Sequence, residues 1–251
     1  MGLREDARKE LAIRALETIH EEKKKSLMSF ISFYFQEENN RTFDDNWHYH
    51  VIEKKLQEVM EWKCTRLMIN IPPGSGKTEI ITKCFPVWAL GNCPEKQIIA
   101  TGYSASLTQR YGSEARDYYK SETFRRVFPR SPTIREDQDT KGLWRNEVWG
   151  QYLATGAGGS ITGNRENIFI IDDPIKPEDA ESDLMRSKIN NWYENTVISR
   201  LFSPIKDAII IIMQRTHEDD LCGFLMERER TGVGEKWDKI ILPAIAEEWD
   251  W

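Results

Sequence analysis

Two short stretches carry residues whose types and spacing suit chemistry on a phosphate. The first is Gly74-Ser75-Gly76-Lys77-Thr78. Glycines lack a Cβ, so successive backbone N–H groups can turn toward an anion. A lysine in that place reaches the β- and γ-phosphates of ATP, and the following hydroxyl suits Mg²⁺. Lys77 and Thr78 are assigned these roles, with Pro73, Gly74, Ser75, Gly76 and Glu79 completing the cradle. Only the second half of the usual G-x-x-x-x-G-K-[ST] pattern is present, because Ile71-Pro72-Pro73 stands where it begins. The second stretch is Ile168-Phe169-Ile170-Ile171-Asp172-Asp173, four apolar residues and then two acids. Hydrolysis of Mg²⁺-ATP needs one carboxylate to support the metal and another group to orient or deprotonate the attacking water. Asp172 is assigned the metal and Asp173 the water. Alone, such a stretch reads as a strand ending in a solvated turn; after a phosphate loop it reads as the other half of a site.

Other residues are candidates by position. Ile209 to Met213 is apolar and is followed by Gln214-Arg215-Thr216-His217. Gln214 is placed to hydrogen-bond the γ-phosphate or the water, since ligands of open α/β sheets bind at the C-terminal ends of the strands. Positive charge that meets the γ-phosphate in the transition state accelerates transfer. Arg145, Arg165, Arg200 and Arg215 are candidates, with Arg200 and Arg165 favoured, acting in cis or donated by a neighbouring subunit. Trp47-His48-Tyr49-His50 offers rings for adenine, with Trp47 and His48 foremost, or else core aromatics of a helix.

The elements that must position these residues follow from hydrophobic periodicity. Glu5 to about Phe35 reads as helix, Glu37 to Arg41 as a polar break, and Trp47 to Trp62 as a second helix with Val51, Leu56 and Val59 on one face. Residues 1–62 are therefore expected to form an N-terminal helical lid on a core of residues 63–251. In that core, Leu67 to Ile71, Gln97 to Thr101, Ile168 to Ile171, Ala208 to Met213 and Lys239 to Leu242 read as buried strands. Glu147 to Leu153 reads as an exposed strand, followed by a glycine-rich loop from Thr155 to Ser160. Thr78 to Leu90 reads as helix kinked at Pro86, Ser104 to Tyr119 and Glu178 to Leu201 as helices, and Thr216 with Asp219 as a capping box for the next. Buried strands alternating with helices imply an α/β fold with a central, mostly parallel sheet flanked by helices.

Composition narrows the class. The chain has 251 residues, 39% of them hydrophobic, and a net charge of -6, so it can build a core and is not uniformly basic. A local basic track remains open; Lys120, Arg125, Arg126 and Arg130 either contact nucleic-acid phosphates or decorate a solvated helix. Cys64, Cys84, Cys93 and Cys222 show no C-x-x-C spacing and no histidine cluster, which argues against zinc and against a disulfide framework. The N-terminus lacks the apolar run of a signal peptide, and Ile209-Ile210-Ile211-Ile212 is far too short to span a bilayer. No membrane association is expected.

Pro72-Pro73-Gly74-Ser75-Gly76-Lys77-Thr78, Ile170-Ile171-Asp172-Asp173-Pro174, Trp192-Tyr193 with Ser199-Arg200-Leu201, and Gln214-Arg215-Thr216-His217-Glu218-Asp219-Asp220-Leu221 together resemble the large terminase subunit of tailed bacteriophages. The resemblance runs from about Trp47 to Ala246. It implies a P-loop NTPase fold of the additional-strand type with a helical lid. It also implies an ATPase motor that drives double-stranded DNA into a capsid. The implied partners are the portal protein, the small terminase subunit and further copies of the chain, typically in a ring of five. The implied place is the host cytoplasm, at the procapsid portal. The family's phosphate-loop Lys and Thr fall on Lys77 and Thr78, its metal carboxylate on Asp172, its catalytic acid on Asp173 and its coupling motif near Gln214. Two features depart from the family: Ile71-Pro72-Pro73 replaces a basic loop start, and the catalytic acid is Asp where Glu is common. Large terminases also carry a C-terminal nuclease domain, and the sequence is expected to lack it, ending at Glu247-Glu248-Trp249-Asp250-Trp251. The alternatives are another helicase-like or remodelling P-loop ATPase, for which 251 residues leave no room for a second motor domain, and a nucleotide-binding scaffold without hydrolysis.

Overall fold

The computed structural model describes residues 20–159, 161 and 165–245. The start of the first expected helix, Ser160 of the glycine-rich loop and the last residues from Ala246 lie outside these. The described strands build one eight-stranded sheet in the order β3-β4-β5-β2-β6-β7-β1-β8. Here β1 is Arg66–Asn70, β2 Gln97–Gly102, β3 Ile134–Asp139, β4 Leu143–Asn146, β5 Gln151–Gly156, β6 Ile168–Asp172, β7 Ala208–Met213 and β8 Asp238–Ile241. Strands β5, β2, β6, β7, β1 and β8 pair in parallel, and β3 and β4 add an antiparallel edge. The fold is thus α/β with a mixed, mostly parallel sheet.

Helices cover both faces. On one side lie α1 (Leu27–Asn39), α2 (Trp47–Met60), the helical segment from Thr78 to α3 (Phe85–Asn92), α4 (Ala105–Lys120) and α5 (Glu122–Val127). On the other lie α6 (Asp183–Trp192) and α7 (Leu221–Arg230). Strand residues alternate between two cores, as the pleat requires. Ile168, Ile170, Ile210 and Ile212 face the first core, while Phe169, Ile171, Ile209 and Ile211 face the second. Both faces are apolar, so the sequence of these strands reads as a continuous aliphatic run. Leu27, Phe30, Ile31, Ile52, Leu56 and Val59 share the first core with β1, so the N-terminal helices pack directly on the sheet. No helix among the described residues is long and apolar enough to cross a membrane.

Several local expectations differ from the structure. The helix through 20–25 stops at Ser26, whose hydroxyl caps α1 by accepting from Ser29 N, and α1 runs on through the expected polar break to Asn39. Val51 is exposed; the buried face of α2 is Ile52, Glu53, Leu56 and Val59. The segment expected as an exposed strand at Glu147 begins as a turn, in which Asn146 Oδ1 accepts from Val148 N and Gly150 N. Strand β5 then lies inside the sheet beside β2. The helix from Thr78 opens as a π-helix to Cys84 before α3. Pro86 has no N–H for the Thr82 carbonyl four residues back, and Tyr152 Oη donates to that carbonyl instead, at 2.8 Å. The long helix expected to Leu201 is α6, then a π-helical stretch from Tyr193 to Val197 and a last turn to Arg200.

One buried acid sits far from the Gly74–Thr78 loop. Glu166, just before β6, is fully buried, and neither carboxylate oxygen has a hydrogen-bond partner among the described residues. Burial pushes its carboxyl up to about 8, against a partial pull from Arg200. The folded chain holds this proton more tightly than the unfolded chain. Its contribution to stability is therefore complete below about pH 4.5 and is lost as pH rises toward 8. Glu166→Gln should flatten the pH dependence of stability across that window, by an amount on the order of a few kcal/mol. Urea midpoints at a series of pH values measure this, and parallel curves for the two proteins would count against it.

Candidate active site

The site forms where three parallel strands end together. Asn70 of β1 lies opposite Met213 of β7, and Asp172 of β6 lies opposite Ile212 of β7. One register therefore brings the root of the Gly74–Thr78 loop and the acidic pair to the same edge, with β7 between them. Gly74 and Gly76 take φ of +78 and +74, the left-handed region that glycine enters without strain. A Cβ on Gly76 would also lie 2.8 Å from the Tyr49 hydroxyl. Lys77 is 6% exposed, and its ammonium meets Asp173 Oδ2 at 3.2 Å.

Asp172 is held from beneath. The Thr82 hydroxyl donates to its Oδ2 at 2.6 Å. Burial raises its carboxyl to about 6; Thr82 opposes that rise, Asp173 adds to it, and Thr78 and Lys77 pull back. Asp173 has φ of 44, uncommon for a non-glycine residue and a place where a site stores strain. Three backbone bonds fix it: Asp173 N donates to Ile212 O, Tyr103 N donates to Asp173 O, and Gln214 N donates to Oδ1 at 3.1 Å. A cavity of about 40 Å³ beside the acids is lined by Thr78, Tyr103, Thr108 and Tyr111, among others.

The other sequence candidates are placed as follows. Gln214 reaches Asp173 through its backbone N–H. His48 Nε2 lies 3.3 Å from Ser75 O, and its ring packs on Tyr49 with centroids 4.0 Å apart. Trp47 is 65% exposed and edge-on to His48. The Glu79 carboxylate turns away into a network with Tyr118 Oη at 2.7 Å and Lys83 Nζ at 2.6 Å. Arg165 and Arg200 sit at the opposite end of the sheet: Arg165 is exposed ahead of β6, and Arg200 O accepts from Glu166 N. Strand β6, five residues long, separates them from Asp173 by about 16 Å or more, at roughly 3.3 Å per residue. Arg145 is on β4 and bonds Gln151 Oε1. Arg215 is bound to Asp220. The capping role expected of Thr216 and Asp219 belongs to Asp220, which accepts from Gly223 N. Of the basic residues weighed for nucleic acid, Lys120 pairs with Asp139, Arg125 with the Ser131 and Pro132 carbonyls, and Arg126 with Glu37; Arg130 is exposed.

Sequence reasoning missed Thr82, although its spacing of four from Thr78 on one helix places both hydroxyls toward the same partner. Thr82→Val keeps the shape and removes the donor, leaving a buried carboxylate oxygen unsatisfied. The expected loss is about 1–3 kcal/mol of unfolding free energy, recovered by Thr82→Ser. Urea titration measures it, and a Val variant as stable as the parent would refute the bond.

The family model described as "Terminase large subunit, T4likevirus-type, N-terminal" matches residues 68–245, from within β1 to just past β8. Comparison with curated proteins gave no match. The family match takes in both the Gly74–Thr78 loop and the acidic strand, and the chain belongs to the large terminase subunit family of phage DNA-packaging proteins.

Proposed function

We propose that this chain is the ATPase motor of a large terminase, hydrolysing Mg²⁺-ATP to drive double-stranded DNA into a capsid. The observation that carries the reading is the 3.2 Å pair between Lys77 and Asp173. It joins a glycine loop suited to phosphates with an acid suited to a water, across one intervening strand. That strand order, with β7 between β1 and β6, supports a P-loop NTPase fold of the additional-strand type.

In this reading the N–H groups of Gly74 to Lys77 bind the phosphates, and Lys77 leaves Asp173 for the outer oxygens. Asp173 then has a free oxygen to accept a proton from water, while the Gln214 N–H holds the other. Mg²⁺ supplies charge neutralisation at the phosphates; Thr78 and Asp172 would hold it, and their hydroxyl and carboxylate oxygens fit a hard cation. Among the described residues no three acidic, His or Cys side chains gather into a metal cage. A nucleotide-borne Mg²⁺ takes its remaining oxygens from phosphates and water. His48, Tyr49 and Trp47 border the loop where adenine would lie, on the helices that we propose act as a lid. Arg165 and Arg200 face away from Asp173 of their own chain, so a role at the γ-phosphate requires donation to a neighbouring copy, as a ring of five would allow. The portal protein and the small terminase subunit are the partners this role requires.

The test is ATP turnover against Lys77→Ala as the blank, with Asp173→Asn alongside. Asp173→Asn should lose about 10²–10⁴-fold in turnover while binding a fluorescent ATP analogue as well or better, because Lys77 no longer leaves an ion pair. Turnover by Asp173→Asn equal to the parent would remove Asp173 from the mechanism. A parent rate no higher than the blank would remove hydrolysis.

A further inference from the structure

The segment that follows β7 is tied by one buried carboxylate. Asp220 is 1% exposed. Its Oδ1 accepts from Gly223 N at 2.9 Å and so caps α7. Capping needs no more than that one acceptor, and a serine would serve. The Oδ2 atom accepts three further bonds, from Arg215 Nε at 2.9 Å, Thr216 N at 3.1 Å and His217 N at 3.5 Å. Arg215 Nη2 then donates to the carbonyls of His217 and Glu218. The turn also sits hard against α7, since a Cβ on Gly223 would lie 1.7 Å from Glu218 O. A charge this deeply buried persists only when its lone pairs are filled, and here one short turn and its arginine fill them.

The same segment begins at the site. Gln214 N donates to Asp173 Oδ1, while Met213 O accepts from Ile71 N at 3.4 Å and from Asn70 Nδ2 at 3.3 Å. The Met213–Gln214 peptide therefore touches the acid on one side and the root of the phosphate loop on the other. We propose that Asp220 is a positioning residue for hydrolysis: by fixing residues 215–217 it keeps the Gln214 N–H on Asp173 and the carboxylate aimed at the water. The proposal rests on the role given to Asp173 above. It gives the arginine of the Gln214-Arg215 pair a purely internal task, held between Asp220 and two carbonyls.

The discriminating variant is Asp220→Ser in the full chain. Serine keeps the cap on Gly223 N and is too short to reach residues 215–217. A misplacement of about 1 Å at a reacting group costs about 10²-fold, so kcat should fall about that much with KM within about threefold. The amides of Gln214, Thr216 and His217 should lose hydrogen-exchange protection about tenfold or more. Arg215→Ala, at an exposed position, should show the same split between kcat and KM in smaller measure. A lowered melting temperature with kcat unchanged, or unaltered exchange at Gln214, would overturn the proposal. If the parent chain shows no turnover above Lys77→Ala, the role of Asp173 falls. The exchange measurement still decides, without any activity, whether Asp220 holds Gln214.

Discussion

The in-register parallel pairing of β7 with both β1 and β6 is the constraint on which the site depends. Two segments a hundred residues apart in sequence, beginning at Ile71 and at Asp173, leave the sheet at one level because each pairs with the same strand. A one-residue slip of β7 on either side would turn Ile209–Met213 to the wrong cores and lift one half of the site away from the other. The six consecutive apolar residues of β7 serve this purpose. They are buried on both faces, so slippage costs apolar contact with both cores at once.

Burial sets the electrostatics at both ends of the sheet, with different results. At the C-terminal edge Asp172 is buried beside two hydroxyls and near an ammonium, and its carboxyl rises only to about 6. At the N-terminal edge Glu166 is buried with no donor among the described residues and rises to about 8. The comparison isolates what the Thr82 and Thr78 hydroxyls do: each stabilises the ionised form of the acid that the site would use. Backbone strain is placed in the same way. Asp173 takes a left-handed φ because its N–H and its carboxylate are bonded at the end of β7, through Ile212 and Gln214, and its carbonyl just past the end of β2, through Tyr103.

Much of this was legible in the residues. The buried strands, the glycine turn before Lys77 and the acids at the end of β6 were readable because each is a contiguous pattern: glycines before a lysine, or aliphatics before acids. The alternation of strand and helix gave the α/β class for the same reason. The antiparallel edge of β3 and β4 was not readable, because Ile134–Asp139 is largely polar and its pairing with β4 shifts register between Ile134 and Asp139. The π-helical opening at Thr78 was only half visible, as a proline; the acceptor it frees is used by Tyr152, seventy residues away. Asp220 was read past in favour of Asp219, since capping patterns count residues and cannot see which carboxylate turns inward. The arginines were misjudged as site neighbours for a related reason. Arg165 and Arg200 are close in sequence to the right strand and helix, but sit at their far ends.

Charge counting at the site bears on what it still requires. Asp172 and Asp173 stand against one ammonium, Lys77. Two nearby cations are committed elsewhere: Lys83 to Glu79 and Glu114, Arg215 to Asp220. A triphosphate arriving here would add several negative charges to a centre whose cation is already paired. Coulomb repulsion among these groups, in surroundings less polar than water, opposes binding unless positive charge comes with the ligand or from another molecule. A divalent cation bound to the phosphates supplies part of it. Arg165 and Arg200, at the far end of β6, cannot supply the rest to their own site; on the proposed function a neighbouring copy would present the cation. On the proposed function, a site that lacks one charge until its neighbour arrives would hydrolyse only when copies assemble.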